Sequence, residues 1–245
     1  MAFKQISSPH GHNPQSTSWV MQLVLLSTLP GFIALSYQFG WGTFINLIIA
    51  VMTSLVAEAA MLALRYRPIA FYLKDYSAAV TAVLLALALP PLASWWVVVV
   101  GSLFAIVVAK QLYGGIGYNP FNPAMVGYVV LLISFPIEMT SWVTPISLLP
   151  EGVTHPGLWE SLSIVFAGNT PVDGVTGPTP LDLFKHSNGL VVEQIYQNEV
   201  LFSQASFAGV GWEWVNVGFL IGGLILLKTR IFTWHGPLAM LGTLA

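Results

Sequence analysis

Long apolar runs with very few charges between them constrain this chain more than any other feature of its sequence. Of the 245 residues, 56% are hydrophobic and 7% are charged, whereas an ordinary soluble domain has about 25% charged residues. So few charged side chains cannot cover a water-facing surface. Eight Lys and Arg against ten acidic residues also leave no basic face for nucleic acid. The composition therefore predicts a protein that crosses a membrane several times and has no nucleic-acid partner.

Seven apolar runs are candidates for membrane-spanning helices, which need roughly 20 residues, although the third run is short and the fifth is shorter still. They lie at 19–37, 41–64, 78–92, 95–108, 125–135, 214–227 and from 234 onward. The predicted fold class is an all-α polytopic membrane protein with six to seven transmembrane helices. Because the last run stops at Ala245 before it is long enough to span, we expect a fragment of a longer protein.

The charges predict an orientation, because Lys and Arg favour the cytoplasmic side of short loops. With the N-terminus inside, seven of the eight basic residues fall on the cytoplasmic side, and these are Lys4, Arg65, Arg67, Lys74, Lys110, Lys228 and Arg230. Most acidic residues lie between the fifth and sixth runs, with Lys185, on the other side. We therefore predict a cytoplasmic tail at 1–18, membrane helices at 19–135, a long outer loop at 136–212 and further membrane helices at 213–245.

Two acidic residues fall within or beside the predicted membrane helices. Glu58 lies inside the second run, within two turns of Arg65. An intramembrane acid is a functional candidate, but we expect Glu58 to be a snorkelling or paired acid rather than an ion or proton relay. Asp75 precedes the third run, where a carboxylate complements the helix dipole. A position facing a cavity is the alternative for Asp75.

The segment 113–123 cannot form a regular helix, because it combines several glycines with two prolines. Irregular backbone at membrane depth is tolerated only when it is buried in protein or lines a cavity. Asn119 and Asn122 each precede a proline, and their amides offer both donors and acceptors. They could therefore bind the edge of a heteroaromatic ring. The simpler alternative is that Asn122 caps a helix that begins at Pro123.

The centre of the outer loop carries the most informative pattern. Its residues read Asp173-Gly174-Val175-Thr176-Gly177-Pro178-Thr179-Pro180-Leu181-Asp182. Thr179 as N-cap, Pro180 at the first helical position and Asp182 in the first turn predict a capped helix. The chain has no cysteine, which excludes disulfides and Cys-ligated clusters. Redox chemistry would therefore need a cofactor held by other residues.

The stretch 173–179 resembles the flavinylation motif of the RnfD and NqrB family of membrane proteins. Members of this family belong to Rnf electron-transport complexes and to sodium-translocating NADH:quinone reductases. The family motif is Asp-x-x-Ser/Thr-Gly-Ala-Thr, and the resemblance covers essentially the whole chain. This sequence has Pro178 where the motif has alanine. Proline removes an N–H and fixes φ at about −65°, so attachment would suffer if the modifying enzyme needed that amide.

The resemblance implies that Thr179 carries FMN through a phosphoester bond made by a dedicated flavin transferase. It also implies that Asn119 and Asn122 lie near a noncovalently bound riboflavin. The expected partners are membrane and soluble subunits of the same complex, among them iron–sulfur, NADH-binding and second covalent-FMN subunits, besides membrane lipid. The family fold is an inverted-repeat bundle similar to urea and ammonium channels. The family sits in the bacterial inner membrane, so the flavin loop would be periplasmic.

Three functions follow from these observations. The first is a flavin-bearing component of an oxidoreductase complex that couples electron transfer to Na⁺ or H⁺ transport, and that is incomplete as an enzyme without the rest of the complex. The second is a channel or transporter for a small polar solute. The third is a structural membrane component. Covalent flavin on Thr179 distinguishes the first from the others.

Overall fold

The computed structural model describes residues 16–168, 175–186, 189, 192–203, 205 and 207–244. Within these ranges the chain is helical, without strands, and one isolated antiparallel bridge joins Val143 to Thr176. Most of the predicted cytoplasmic tail, with Lys4, and the first motif residue, Asp173, lie outside the described residues.

Each of the seven predicted apolar runs forms a helix. The helices of these runs are α1 (Thr17–Phe39), α2 (Gly42–Leu64), α4 (Ser77–Ala88), α5 (Trp95–Leu103), α6 (Pro123–Ser134), α12 (Trp212–Lys228) and α13 (His235–Leu244). A short helix, α3 (Ile69–Leu73), connects α2 to α4. Among the described residues, α1 and α2 have 23 residues each and are long and apolar enough to cross a membrane. The all-helical class is therefore confirmed, and the number of crossings stays a prediction.

Helices α1 and α12 pack together through small residues. A Cβ atom added to Gly222 would overlap the carbonyl oxygen of Ser27, and one added to Gly218 would lie 2.7 Å from that of Pro30. Two glycines four positions apart let helix backbones approach closely. The two contacts run in opposite directions along the two helices, so α1 and α12 are antiparallel. The end of α12 therefore lies beside the start of α1.

The central core joins α2, α4, α5 and α6. Its buried side chains are small and aliphatic, and they include Ala50, Ala82, Leu85, Ala86, Leu89, Val97, Val98, Ala105, Ala124 and Leu131. Helix α4 ends at Ala88, before two prolines. The carbonyl groups of Pro90 and Pro91 accept hydrogen bonds from Asn46 Nδ2 at 2.8 and 3.1 Å. Asn46 thereby provides hydrogen bonds for two carbonyl groups that have no partner within α4, because the helix ends before them.

Helix α5 continues into a π-helical segment, Phe104–Gln111. The wider turn of a π-helix often marks a functional position. It lets the side chains of the consecutive residues Lys110 and Gln111 donate to the same oxygen atom, Glu58 Oε1. Consecutive residues of an α-helix point in different directions and do not reach one acceptor together. The chain then turns irregularly until α6 begins at Pro123.

The predicted outer loop is richer in structure than its sequence indicated. It contains α7 (Pro136–Thr140), a 3₁₀ turn (Ile146–Leu148), α8 (Leu158–Ala167), α9 (Pro180–Lys185), α10 (Val192–Asn198) and α11 (Val200–Ser203). Of these elements, the sequence predicted the capped helix α9. The main addition is α8, an apolar helix of ten residues. Ile195, Leu201 and Phe202 form a small core that also contacts Leu183 and Phe184 of α9.

Candidate functional site

The motif segment is held against the chain that follows α7. The Gly177 N–H donates to the carbonyl oxygen of Trp142 at 3.0 Å, and the Thr144 N–H donates to that of Val175 at 2.8 Å. These bonds flank the bridge between Val143 and Thr176. A Cβ atom on Gly177 would lie 2.6 Å from Thr144 Oγ1, so this close approach favours glycine.

Pro178 fits this arrangement. Successive N–H groups of an extended segment point to opposite sides, and the bonded N–H belongs to Gly177. An amide at position 178 would point away from the 142–144 segment. A proline at this position therefore removes no hydrogen bond of the pairing. The missing N–H that separates this sequence from the family motif has no structural cost here.

Thr179 caps α9 through a reciprocal pair of hydrogen bonds, as the sequence predicted. The Asp182 N–H donates to Thr179 Oγ1 at 3.2 Å, and the Thr179 N–H donates to Asp182 Oδ2 at 3.2 Å. The Thr179 hydroxyl also donates to Asp182 Oδ2 at 2.7 Å. The hydroxyl is half-buried and its position is fixed by these bonds. The Asp182 carboxylate can accept the proton of the Thr179 hydroxyl when Thr179 Oγ1 forms a new bond.

An open groove of about 570 Å³ lies next to Thr179, and we call it the outer groove. One wall is α7 with the residues after it, from Pro136 to Trp142. The base is the motif segment from Thr176 to Pro178. The other wall is α9, through Asp182, Lys185 and His186. Its volume lies within the range of about 300–1,000 Å³ that is usual for ligand sites.

An aromatic cluster supports the outer groove from the side of the helices. The ring centroids of Phe39 and Trp212 are 4.8 Å apart, and those of Trp142 and Trp212 are 5.2 Å apart. Beside this cluster, Val143 and Val175 pack against Phe39 of α1. His155 Nε2 donates to the carbonyl oxygen of Thr144 at 2.9 Å. The groove is therefore fixed to the ends of α1 and α12.

The structure brings Asn119 and Asn122 to one cavity of about 270 Å³, together with Lys110, Ser77 and Thr81. Asn122 caps α6, since its Oδ1 accepts from the Ala124 N–H at 3.0 Å. Asn119 Nδ2 donates to the carbonyl oxygen of Phe121 at 2.7 Å. These bonds leave Asn119 Oδ1 as an acceptor and Asn122 Nδ2 as a donor. The capping role of Asn122 is confirmed, and one amide can both cap the helix and face a ligand.

A buried polar cluster lies beside this cavity. Lys110 Nζ donates to Glu58 Oε1 at 2.6 Å and to Ser77 Oγ at 2.6 Å. Gln111 Nε2 donates to the same Glu58 oxygen at 2.8 Å. Ser77 Oγ in turn donates to Asp75 Oδ1 at 2.5 Å. Glu58 and Lys110 are each only 2% exposed, and Glu58 Oε2 has no hydrogen-bond partner among the described residues.

The cluster confirms one sequence expectation and corrects another. Glu58 is a paired acid, but its partner is Lys110 and not the neighbouring Arg65. Lys110 was expected in a cytoplasmic loop, and it is instead buried in the π-helical segment. Asp75 both begins α4, by accepting from the Ser77 N–H at 2.7 Å, and lines a cavity of about 420 Å³ with Glu58 and Gln111. Both alternatives for Asp75 therefore hold.

Sequence reasoning missed the roles of Lys110, Lys185 and His186. A lysine at the end of an apolar run is typical of a loop, and this pattern indicated a loop position for Lys110. The π-helical turn that buries Lys110 has no signal in the sequence. For Lys185 a signal existed, since it is the one basic residue on the acidic outer side.

These features define a helical membrane protein with a fixed hydroxyl beside an outer groove and a second polar cavity among its helices. A model of the NQR2, RnfD, RnfE family matches residues 4–245, and the chain belongs to this family. This finding confirms the resemblance seen in the sequence.

Two relatives are similar along the whole of this chain. The chain is 47% identical to the D-type subunit of the ion-translocating oxidoreductase complex of Cellvibrio japonicus, over 245 residues that cover 100% of this chain and 68% of that protein. It is 49% identical to the protein of the same name from Citrobacter koseri, over 258 aligned positions that cover 100% of this chain and 72% of that protein.

Proposed function

We propose that this chain is the flavin-bearing membrane component of an ion-translocating oxidoreductase complex. Family membership, and relatives that are named as the D-type subunit of such a complex, support the general function. The observation that carries the flavin proposal is the fixed Thr179 hydroxyl, whose neighbour Pro178 and hydrogen-bond partner Asp182 both line the outer groove. When bound, FMN would supply one- or two-electron transfer.

The residues around Thr179 fit a flavin nucleotide. The groove has enough volume for a ring system, Trp142 offers an aromatic surface, and Lys185 and His186 provide groups that bind oxyanions. Thr179 Oγ1 would form the new bond to phosphorus as the phosphoanhydride bond of an activated flavin nucleotide, held by a flavin transferase, breaks. The remainder of that nucleotide would leave with its own phosphate, and the hydroxyl proton would pass to the Asp182 carboxylate. Asp182 accepts the hydroxyl hydrogen bond and so directs a lone pair outward for that bond.

We place the outer loop in the periplasm and the N-terminus in the cytoplasm of a bacterial inner-membrane protein. The fold supports this orientation, because basic residues gather at one end of the helices. Ser18 near the start of α1 donates its hydroxyl to the carbonyl oxygen of Lys74, and α12 ends beside it at Lys228. The outer groove lies at the opposite end, near Phe39. This placement agrees with the preference of basic residues for the cytoplasmic side.

We also propose that Asn119 and Asn122 contact a noncovalent riboflavin. The free acceptor on Asn119 and the free donor on Asn122 match the alternating polar edge of an isoalloxazine ring. Their cavity of about 270 Å³ lies just below the usual lower limit of about 300 Å³ for ligand sites. It would therefore hold the polar edge of the ring and not the whole molecule.

Electrons would pass between the two flavins, and this transfer would be coupled to Na⁺ or H⁺ movement. The proposed partners are other membrane subunits, iron–sulfur and NADH-binding subunits, and a second covalent-FMN subunit. The flavin transferase is a partner during maturation. The inverted-repeat architecture, similar to urea and ammonium channels, belongs to this proposal as well.

The first test is ultraviolet fluorescence of the denatured protein in a gel, after expression with a flavin transferase. Wild type should be fluorescent and Thr179→Ala should be dark. Thr154→Ala is the matched control, because this exposed threonine lies in the outer loop but outside the motif and should not carry flavin. A dark wild-type band, beside a fluorescent positive control for the transferase, would refute the proposal and favour a channel or a structural component.

A further inference from the structure

Lys185 is chemically isolated in the part of the chain that surrounds the outer groove. It is the only Lys or Arg between positions 136 and 212, a stretch that holds seven acidic residues. The structure places it at the last position of α9, on the wall of the outer groove. Among the described residues its ammonium group has no ion-pair partner. The ion pairs among the described residues therefore do not explain why a lysine stands at this position.

Attachment of a flavin nucleotide would change the charges at the other end of α9. The Thr179 hydroxyl donates its hydrogen to Asp182 Oδ2 at 2.7 Å. Once Oγ1 is bonded to phosphorus, that hydrogen is gone. A negatively charged phosphodiester would then stand beside the Asp182 carboxylate, and like charges at this distance repel. The capping arrangement around Thr179 therefore cannot persist unchanged in the modified protein.

The geometry of α9 offers a cation for this phosphodiester. Lys185 follows Asp182 by three positions, and residues at this spacing share one face of a helix. Both side chains line the outer groove. His186 lies there too, and its Nδ1 donates to the Asp182 carbonyl oxygen at 2.9 Å. Its Nε2 is therefore left to face the groove.

We propose that the outer groove holds the flavin nucleotide attached to Thr179, with Lys185 as the counter-ion of its phosphodiester. This inference rests on the proposed function and adds the residues that hold the bound nucleotide. Attachment displaces the Asp182 carboxylate from Thr179, and the positive charge of the Lys185 ammonium group balances the negative charge of the phosphodiester. The wall from Pro136 to Trp142 would hold the flavin ring.

The test measures how accessible the attached flavin is in the folded protein. The full chain is expressed with the flavin transferase, placed in lipid nanodiscs and titrated with acrylamide, an uncharged quencher of flavin fluorescence. An open groove covers a ligand less completely than the about 70–90% of an enclosed site, so the quenching constant of native wild type should be about twofold below that of the denatured protein. Lys185→Gln should raise it towards the denatured value, and Lys185→Arg should preserve it.

Lys228→Gln is the matched control, because it removes an exposed lysine at the other end of the helices. It should quench like wild type. Equal quenching of native and denatured wild type, or no change in Lys185→Gln, would overturn the groove proposal while leaving attachment intact. A dark Lys185→Gln band beside a fluorescent wild-type band would also overturn it, because Lys185 would then act in recognition by the transferase. A dark wild-type band would refute the proposed function itself.

Discussion

The pair formed by Glu58 and Lys110 predicts a large and specific effect on stability. Lys110 Nζ lies 2.6 Å from Glu58 Oε1, and the side chains of Lys110 and Glu58 are 3% and 2% exposed. Removing one partner of a buried ion pair costs about 3–5 kcal/mol, because the other charge is left uncompensated. In Lys110→Met, Gln111 still donates to Glu58 at 2.8 Å. We therefore expect a loss near the lower limit, about 3 kcal/mol in the free energy of unfolding.

The double variant separates the ion pair from simple loss of packing. Replacing both partners by neutral residues removes the uncompensated charge, and such replacements are often neutral or stabilising. Glu58→Gln combined with Lys110→Met should therefore be more stable than Lys110→Met alone, by about 2 kcal/mol. Lys228→Met is the matched control, since it makes the same change at an exposed position.

The assay is equilibrium unfolding of the purified chain in mild detergent, titrated with a denaturing detergent and followed by tryptophan fluorescence. The four members of the Glu58 and Lys110 cycle and the control are compared at one pH and one lipid content. Two results would refute the reasoning. One is a Lys110→Met variant less than about 1 kcal/mol below wild type, which is the range of exposed pairs. The other is a double variant whose loss equals the sum of the single losses.

Three further predictions concern packing, the motif and capping. Gly222→Ala should destabilise the pairing of α1 with α12 by about 1–3 kcal/mol, since the new Cβ atom would overlap the Ser27 carbonyl oxygen. Gly223→Ala, with no atom within 4 Å, is the control in the same unfolding assay. Pro178→Ala should leave in-gel flavin fluorescence unchanged, and a clear rise would show that the missing amide limits attachment. Asn122→Ala should cost about 1 kcal/mol through loss of the α6 cap, and unchanged hydrogen exchange at the start of α6 would contradict this.

Much of the helical framework was predictable, because the length and composition of each apolar run indicate a helix without information from the rest of the chain. The start of α6 at Pro123 and of α9 at Pro180 followed from the capping residues Asn122 and Thr179. Both signals are local, since they depend on neighbours within three positions. Helix α8 was missed because its ten residues include Glu160, Ser161 and Ser163, so its apolar residues do not form a continuous run like those of the membrane helices.

The partners of the charged residues were the least predictable part of the site. Glu58 and Lys110 are 52 positions apart, and nothing in either local sequence indicates the other. The nearby Arg65 was the natural candidate from spacing. It was wrong because the π-helical segment turns Lys110 inward, towards the face of α2 that holds Glu58.

The sequence by itself determined that this chain is a helical membrane protein, where the helices of its apolar runs lie, and which threonine is the candidate for modification. These properties depend on composition, periodicity and local capping, which a single stretch of chain contains. Only the tertiary structure decided that Lys185 and Trp142 flank the same groove as the motif, and that Glu58 is neutralised by Lys110. These contacts join residues far apart in the chain, and they form only when packing of the helices brings their ends together.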